Sequence, residues 1–320
     1  MSNSKEIGGY FELELNNGFE YHGDAIALNT GRNAFEYILK VNNYNHIYLP
    51  YFTCDAMIEP LKKLNIDYEF YNINNHLLPD FNYEKVKNNQ AFVYNNYFGL
   101  VGNDIAAIRS KCKNIIVDNS QAFFARALLD VDTFYSPRKF FGVSDGGYLY
   151  SKRKISEFLK PDISYNNMKH LLGRVDMGAQ KFYKLYQKNE ARLKNQSIKR
   201  MSVLTQNLLK NIAYDDVIRI RRYNYKFLEK YLNKINLLQL NLDKNAVPLV
   251  YPLLLKDGHS LKRKLIQNKI FIPTYWPNVL TWTKENSFEK FLAENLVCLP
   301  IDQRYNEADM QVIIDLINNE

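Results

Sequence analysis

The stretch Asp132-Thr-Phe-Tyr-Ser136-Pro-Arg-Lys139-Phe140-Phe141-Gly-Val-Ser-Asp145-Gly146-Gly147-Tyr-Leu-Tyr150 sets one lysine inside an aromatic run, followed by a glycine pair and a short apolar strand. Charged ammonium groups are seldom buried without a partner or a task. Flanked by Phe140 and Phe141, Lys139 reads as buried. Burial lowers an amine's pKa and makes it a nucleophile, able to form a Schiff base with an aldehyde such as pyridoxal 5′-phosphate (PLP). An ion-paired structural lysine satisfies the same local pattern.

The 320 residues are 46% hydrophobic, enough for one large domain and a smaller one around a sizeable core. No run of roughly 18 apolar residues occurs, and Met1 to Tyr10 lacks the apolar segment of a signal peptide. A soluble, cytoplasmic protein without a membrane span is expected. Cys54, Cys112 and Cys298 stand far apart in apolar contexts, which points to reduced core residues. His22, His46, His76, His170 and His259 show no metal-ligand spacing, so no metal is expected. The net charge of +8 is scattered among Asn, Tyr and acids without a basic block. It suits an anionic small ligand, and no nucleic-acid partner is expected.

Upstream of the lysine stretch the chain repeats strand, turn, helix. Gly9–Leu15 alternates apolar and acidic residues and reads as a strand or arm. Thr30-Gly31-Arg32 opens a helix with Ala34, Phe35, Ile38 and Leu39 on one side. The free N–H groups and positive dipole end there suit a phosphate, while capping by Thr30 is the simpler reading of those three residues alone. Strands are expected at 46–49, 68–73, 91–94 and 114–117, with helices at 55–64 and 105–110. That alternation predicts an α/β domain with a mostly parallel sheet, whose ligand lies beyond the carboxyl ends of the strands. Asp118 follows such a strand. It is either a helix cap or a carboxylate facing a pyridine nitrogen, which it would keep protonated; Gln121 would then hydrogen-bond the ring's phenolic oxygen.

Thr30-Gly31-Arg32 opening a helix, Asp118-x-x-Gln121-Ala122 after a strand, and Lys139 followed eight residues later by Gly147 in Asp145-Gly146-Gly147 together resemble the DegT/DnrJ/StrS family of PLP-dependent sugar aminotransferases. Segments 268–277 and 298–305 extend the resemblance over almost the whole chain. It implies fold type I, with a large PLP-binding α/β domain and N-terminal arm over 1–214 and a small α+β domain over 215–320. It also implies roles. Lys139 would carry the cofactor and move the substrate proton, Asp118 would pair with the pyridinium, and Gln121 would touch the ring oxygen. The N–H groups at Gly31 and Arg32, with the Thr30 hydroxyl, would hold the phosphate. Fold type I enzymes generally place a phosphate-binding serine three residues before the lysine, here Ser136, which serves equally to start the turn at Pro137. The implied reaction passes an amino group from glutamate to a nucleotide-linked keto-sugar, in a homodimer. A lysine at 139, where sugar dehydratases of the family usually have histidine, argues against that branch.

Departures from the family pattern are equally specific. Phe134 stands five residues before the lysine where a serine is usual, Cys54 lies in the segment that commonly stacks an aromatic ring on the cofactor, and Ile198 replaces an Asn before Arg200-Met201. They motivate a second reading, a degenerate PLP-binding or regulatory protein. Further on, helices are expected at 155–159, 182–194, 201–209, 217–235, 260–268 and 309–317, and a strand at 247–255. Arg221, Arg222 and Lys226 are read as a solvated helix face. Tyr275 and Trp276 read first as packing residues, with a place at the substrate mouth as the second role.

Overall fold

The computed structural model describes residues 7–318. A sheet of eight strands occupies the first half of the chain: Ile26–Leu28 (β1), His46–Pro50 (β2), Asp67–Ile73 (β3), Pro79–Asp80 (β4), Gln90–Asn95 (β5), Ile115–Asn119 (β6), Asp132–Tyr135 (β7) and Gly147–Tyr150 (β8). Their order across the sheet is β1-β8-β7-β6-β5-β2-β3-β4. The five strands β7, β6, β5, β2 and β3 run parallel, and β8 and β4 lie antiparallel to their neighbours. The mostly parallel α/β sheet expected from the sequence is therefore what forms.

Alternation along the central strands explains why both faces are covered. Tyr48, Phe92, Tyr94 and Val117 enter one large core, while Ile47, Leu49, Ala91, Val93 and Ile116 enter a second beneath the helices Gly31–Asn42 (α1) and Ile58–Lys63 (α2). Burying each such side chain contributes about 1.5–3 kcal/mol, so a one-residue slip of β2 or β5 would turn two cores inside out. Helix Ile105–Lys111 (α3) carries the chain from β5 to β6.

Beyond β8 come four helices, Lys169–Met177 (α4), Ala179–Arg192 (α5), Val203–Lys210 (α6) and the long Tyr214–Leu232 (α7). A two-stranded antiparallel sheet of Val250–Leu254 (β9) and Leu296–Pro300 (β10) follows, with Gly258–Gln267 (α8), Val279–Trp282 (α9), Phe288–Asn295 (α10) and Glu307–Asn318 (α11). Residue 215 falls in the first turn of α7. The large core runs without a break from Tyr148 of the main sheet and Phe123 in the turn after β6 to Leu253, Leu299 and Ile313 of these later elements.

Three expectations are corrected. Segment 155–159 forms no helix: the Ile155 N–H donates to the Tyr37 hydroxyl at 2.8 Å, Ile155 and Leu159 pack against the core under α1, and Pro161 disfavours helical backbone just before it. Of the two readings of Gly9–Leu15 the strand is not formed: the segment pairs with no strand among the described residues, and Tyr10 and Phe11 are exposed. Arg221 is not on a solvated face. It is 1% exposed, donating through Nη1 to the carbonyls of Leu249 at 2.9 Å and Pro248 at 3.3 Å, with its guanidinium 4.6 Å from the centre of the Phe140 ring. Burial pushes its pKa down to about 10, and the carbonyls and Gln303 satisfy its donors.

Candidate active site

The carboxyl ends of β2, β5, β6 and β7 open on one cleft, which also receives the N-terminus of α1, Glu190 near the C-terminal end of α5 and Trp276. All seven residues singled out in the sequence line it: Thr30, Gly31, Arg32, Asp118, Gln121, Ser136 and Lys139. Parallel strands end on the same edge of a sheet, so residues some 20 apart in sequence become neighbours there.

Lys139 ends a single 3-10 turn, Pro137–Lys139. The flanking aromatics do not surround it, contrary to the sequence reading. Phe140 and Phe141 turn into the core beside Phe123, Phe124 and Tyr214, and the lysine side chain turns the other way, into the cleft. Lys139 is exposed to the cleft rather than buried as the sequence suggests, with protein packed around the amine on its remaining sides. That enclosure lowers its pKa, helped by the nearby Arg138 charge and opposed by Cys54 and Asp118. Among the described residues its amine makes no hydrogen bond or ion pair; it lies 5.7 Å from the centre of the Tyr275 ring. The ion-paired structural lysine is therefore not what is built here.

Asp118 is the penultimate residue of β6, opposite Asn95 and Phe134 in the flanking strands. Its Oδ1 accepts the Ser120 N–H at 2.8 Å, an Asx-type turn that aims the carboxylate. Burial raises its pKa, against the pull of the Ser120 hydrogen bonds and the Lys139 charge, so a cation placed on it would be strongly favoured. Gln121 is held just as firmly. Its Oε1 accepts the Phe98 N–H at 3.0 Å, which fixes the amide orientation and leaves Nε2 a buried donor with no partner.

The turn into α1 makes a cradle. The Thr30 hydroxyl caps the helix, accepting the Asn33 N–H at 2.9 Å and donating to Asn33 Oδ1 at 2.7 Å, so its proton is engaged. The first-turn N–H groups at Gly31 and Arg32 have no carbonyl within the helix. A β-carbon on Gly31 would stand 3.5 Å from Ser136 Cβ and 3.6 Å from Ser120 Oγ, which places two hydroxyl-bearing residues around the same turn. Ser120 was not singled out in the sequence; its signal is its place between Asp118 and Gln121. Phe134 fills its position with a ring against Phe35, 5.8 Å between centres, so no hydroxyl reaches the cradle from there. Cys54 lines the cleft, and neither neighbouring aromatic does: Phe52 is buried against Tyr97 and Trp276, and Tyr51 stacks on Phe70.

Arg138 was also missed. It lines the cleft beside Lys139 and pairs through Nη2 with Glu190 of α5, leaving its Nε buried without a hydrogen-bond partner. Burial pushes its pKa down to about 10, with Arg32 and Arg192 acting the same way against Tyr186 and Asp145; it remains a cation at neutral pH. Asp145 is structural. Fully buried, it accepts the Ser202 N–H at 3.0 Å and the hydroxyls of Ser202 and Thr205, tying the lysine loop to the start of α6. Among the described residues no cluster of His, Cys, Asp or Glu has the arrangement of a metal site, and no helix is long and apolar enough to cross a membrane.

No family model and no curated protein sequence matches the chain. Solved structures do. DesV from S. venezuelae, determined in complex with a ketimine intermediate, superposes with a TM-score of 0.66 at 15% identity, over 92% of this chain and 83% of that one. A DegT DnrJ EryC1 StrS aminotransferase from Brucella abortus superposes with a TM-score of 0.63 at 17% identity, over 92% and 84%. The sugar aminotransferase CalS13 from Micromonospora echinospora gives 0.62 at 14%, over 92% and 87%. With its sheet order, its cleft at the strand ends and these superpositions, the chain has the fold of the DegT/DnrJ/EryC1/StrS aminotransferases.

Proposed function

We propose that this protein is a PLP-dependent aminotransferase that takes an amino group from glutamate and passes it to a keto group on a nucleotide-linked sugar, acting in the cytoplasm as a homodimer whose smaller α+β unit begins at about residue 215. The observation that carries the reading is the meeting of Lys139, Asp118 and Gln121 in one cleft, each with the valence such a ring requires. An unpaired amine, a carboxylate seeking a cation and an orphaned amide donor fit the aldehyde, the pyridine nitrogen and the phenolic oxygen respectively.

When bound, PLP supplies an electron sink for the substrate carbon. The protein's share is orientation, electrostatics and proton movement. Lys139 Nζ, its pKa lowered, would hold the cofactor and move the proton at the substrate carbon. Asp118 would face the ring nitrogen and favour its protonated form, and Gln121 Nε2 would donate to the ring oxygen. The first-turn amides at Gly31 and Arg32, with the hydroxyls of Ser136 and Ser120, form the phosphate cradle, and Thr30 fixes its shape. Trp276 and Cys54 wall the cleft.

The test is a half-reaction. Glutamate added to the PLP-loaded protein should abolish its visible absorption, and a nucleotide-linked keto-sugar should restore it. Cys54 at the wall where a ring is usual favours the alternative, a PLP-binding protein without transaminase activity. Absorption that no amino donor changes would support that alternative.

A further inference from the structure

The cofactor's phosphate is a dianion, and enclosing it in the cleft is costly unless a cation meets it. Three basic side chains line the cleft: Arg32, Arg138 and Lys139. In the proposed reading the lysine nitrogen is bonded to the cofactor and unavailable. Arg32 is largely engaged, with Nη1 donating to the Leu193 carbonyl at 2.8 Å and lying 3.0 Å from Glu59. Both guanidinium groups keep a buried Nε with no protein acceptor, but Arg138 is held by less: its carboxylate partner, Glu190, keeps 39% of its side chain exposed against 18% for Glu59, and among the described residues no carbonyl accepts from it.

A buried guanidinium N–H without an acceptor costs free energy unless a ligand accepts from it. Arg138 also precedes Lys139 directly and follows Ser136 and Pro137, so its backbone is fixed by the turn that presents the lysine. Arg32 and Arg192 add positive charge near it, against the buried Asp145 carboxylate. Resting on the proposed function, we propose that Arg138 is the phosphate-binding cation of this cleft, donating through Nε to a phosphate oxygen, with Glu190 holding the guanidinium in place. The charge is thus supplied from within the chain, on a residue adjacent to the cofactor-bearing lysine.

The experiment compares PLP with pyridoxal, which lacks the phosphate, by equilibrium titration of the apoprotein. Arg138→Gln should weaken PLP roughly 10- to 100-fold, the range of a charge-assisted hydrogen bond, and leave pyridoxal within about twofold. Arg138→Lys should recover part of the loss. Inorganic phosphate should raise the melting temperature of the wild-type apoprotein and not that of Arg138→Gln. Should Arg138→Gln not fold, Arg138→Lys carries the test: its PLP-to-pyridoxal preference should fall below that of the wild type. Equal weakening of both ligands, or of neither, would overturn the proposal, as would weaker glutamate binding with the preference unchanged, which would make Arg138 a substrate-carboxylate residue. Failure of the wild type to bind either aldehyde would instead overturn the underlying functional reading.

Discussion

A β-carbon on Gly147 would stand 2.4 Å from the carbonyl carbon of Thr30 and 2.7 Å from the nitrogen of Gly31. These are backbone atoms, held further by the bridge between Thr30 and Gly146, so they have little freedom to yield. The second glycine of the Asp145-Gly146-Gly147 motif is therefore what lets β8 pass directly behind the cradle. Gly147→Ala should destabilise the protein by about 1–3 kcal/mol and weaken PLP by at least roughly tenfold. Thermal melts and PLP titration check both, and unchanged PLP affinity would show that the cradle tolerates the displacement.

Gln121 owes its orientation to one bond, from the Phe98 N–H to its Oε1 at 3.0 Å. Gln121→Glu keeps that bond and replaces the buried Nε2 donor with an acceptor facing the ring oxygen. PLP should bind roughly tenfold or more weakly, and pyridoxal should be weakened as much, because the contact is to the ring. A selective loss for PLP alone would contradict this assignment.

Asp145 fastens the lysine loop to α6 through Ser202 and Thr205, entirely within the interior. In Asp145→Asn an amide N–H₂ must face one of these donors. A loss of roughly 2–3 kcal/mol is expected in urea unfolding. Wild-type stability in this variant would mean the loop is held elsewhere.

His22 is buried in a cage of Phe123, Tyr135, Tyr148 and Tyr150, hydrogen-bonded to the Phe123 carbonyl at 2.7 Å and near the Tyr150 hydroxyl at 3.1 Å. Burial lowers its pKa from 6.5 to about 4, outweighing the carbonyl bond. The folded state thus resists the proton that the unfolded state accepts. The His22 contribution is whole above pH 6.5, declines as pH falls, and levels off below about 4, a loss of about 3 kcal/mol. Urea titrations across that range should show a shallower dependence in His22→Gln, and parallel curves would contradict it.

How much the sequence discloses differs by residue. Lys139, Asp118 and Gln121 are legible because each follows a strand, and parallel sheets gather strand ends on one edge. The aromatic neighbours of Lys139 suggest burial, but those rings pack away from it and the residue is exposed to the cleft. Arg221 shows the limit of charge patterning, since its acceptors are carbonyls of Pro248 and Leu249, invisible from the helix alone. Thr30 satisfies the simpler of its two readings through Asn33. The signal for Arg138 is a second cation beside the lysine, ahead of the Phe140-Phe141 pair.

The central claim is that the amine of Lys139 carries the cofactor. Protein incubated with PLP, reduced with borohydride and digested should yield one modified peptide, with the pyridoxyl group on Lys139, and none from Lys139→Ala. Fixation on another lysine, or no fixation in the wild type, would contradict the account.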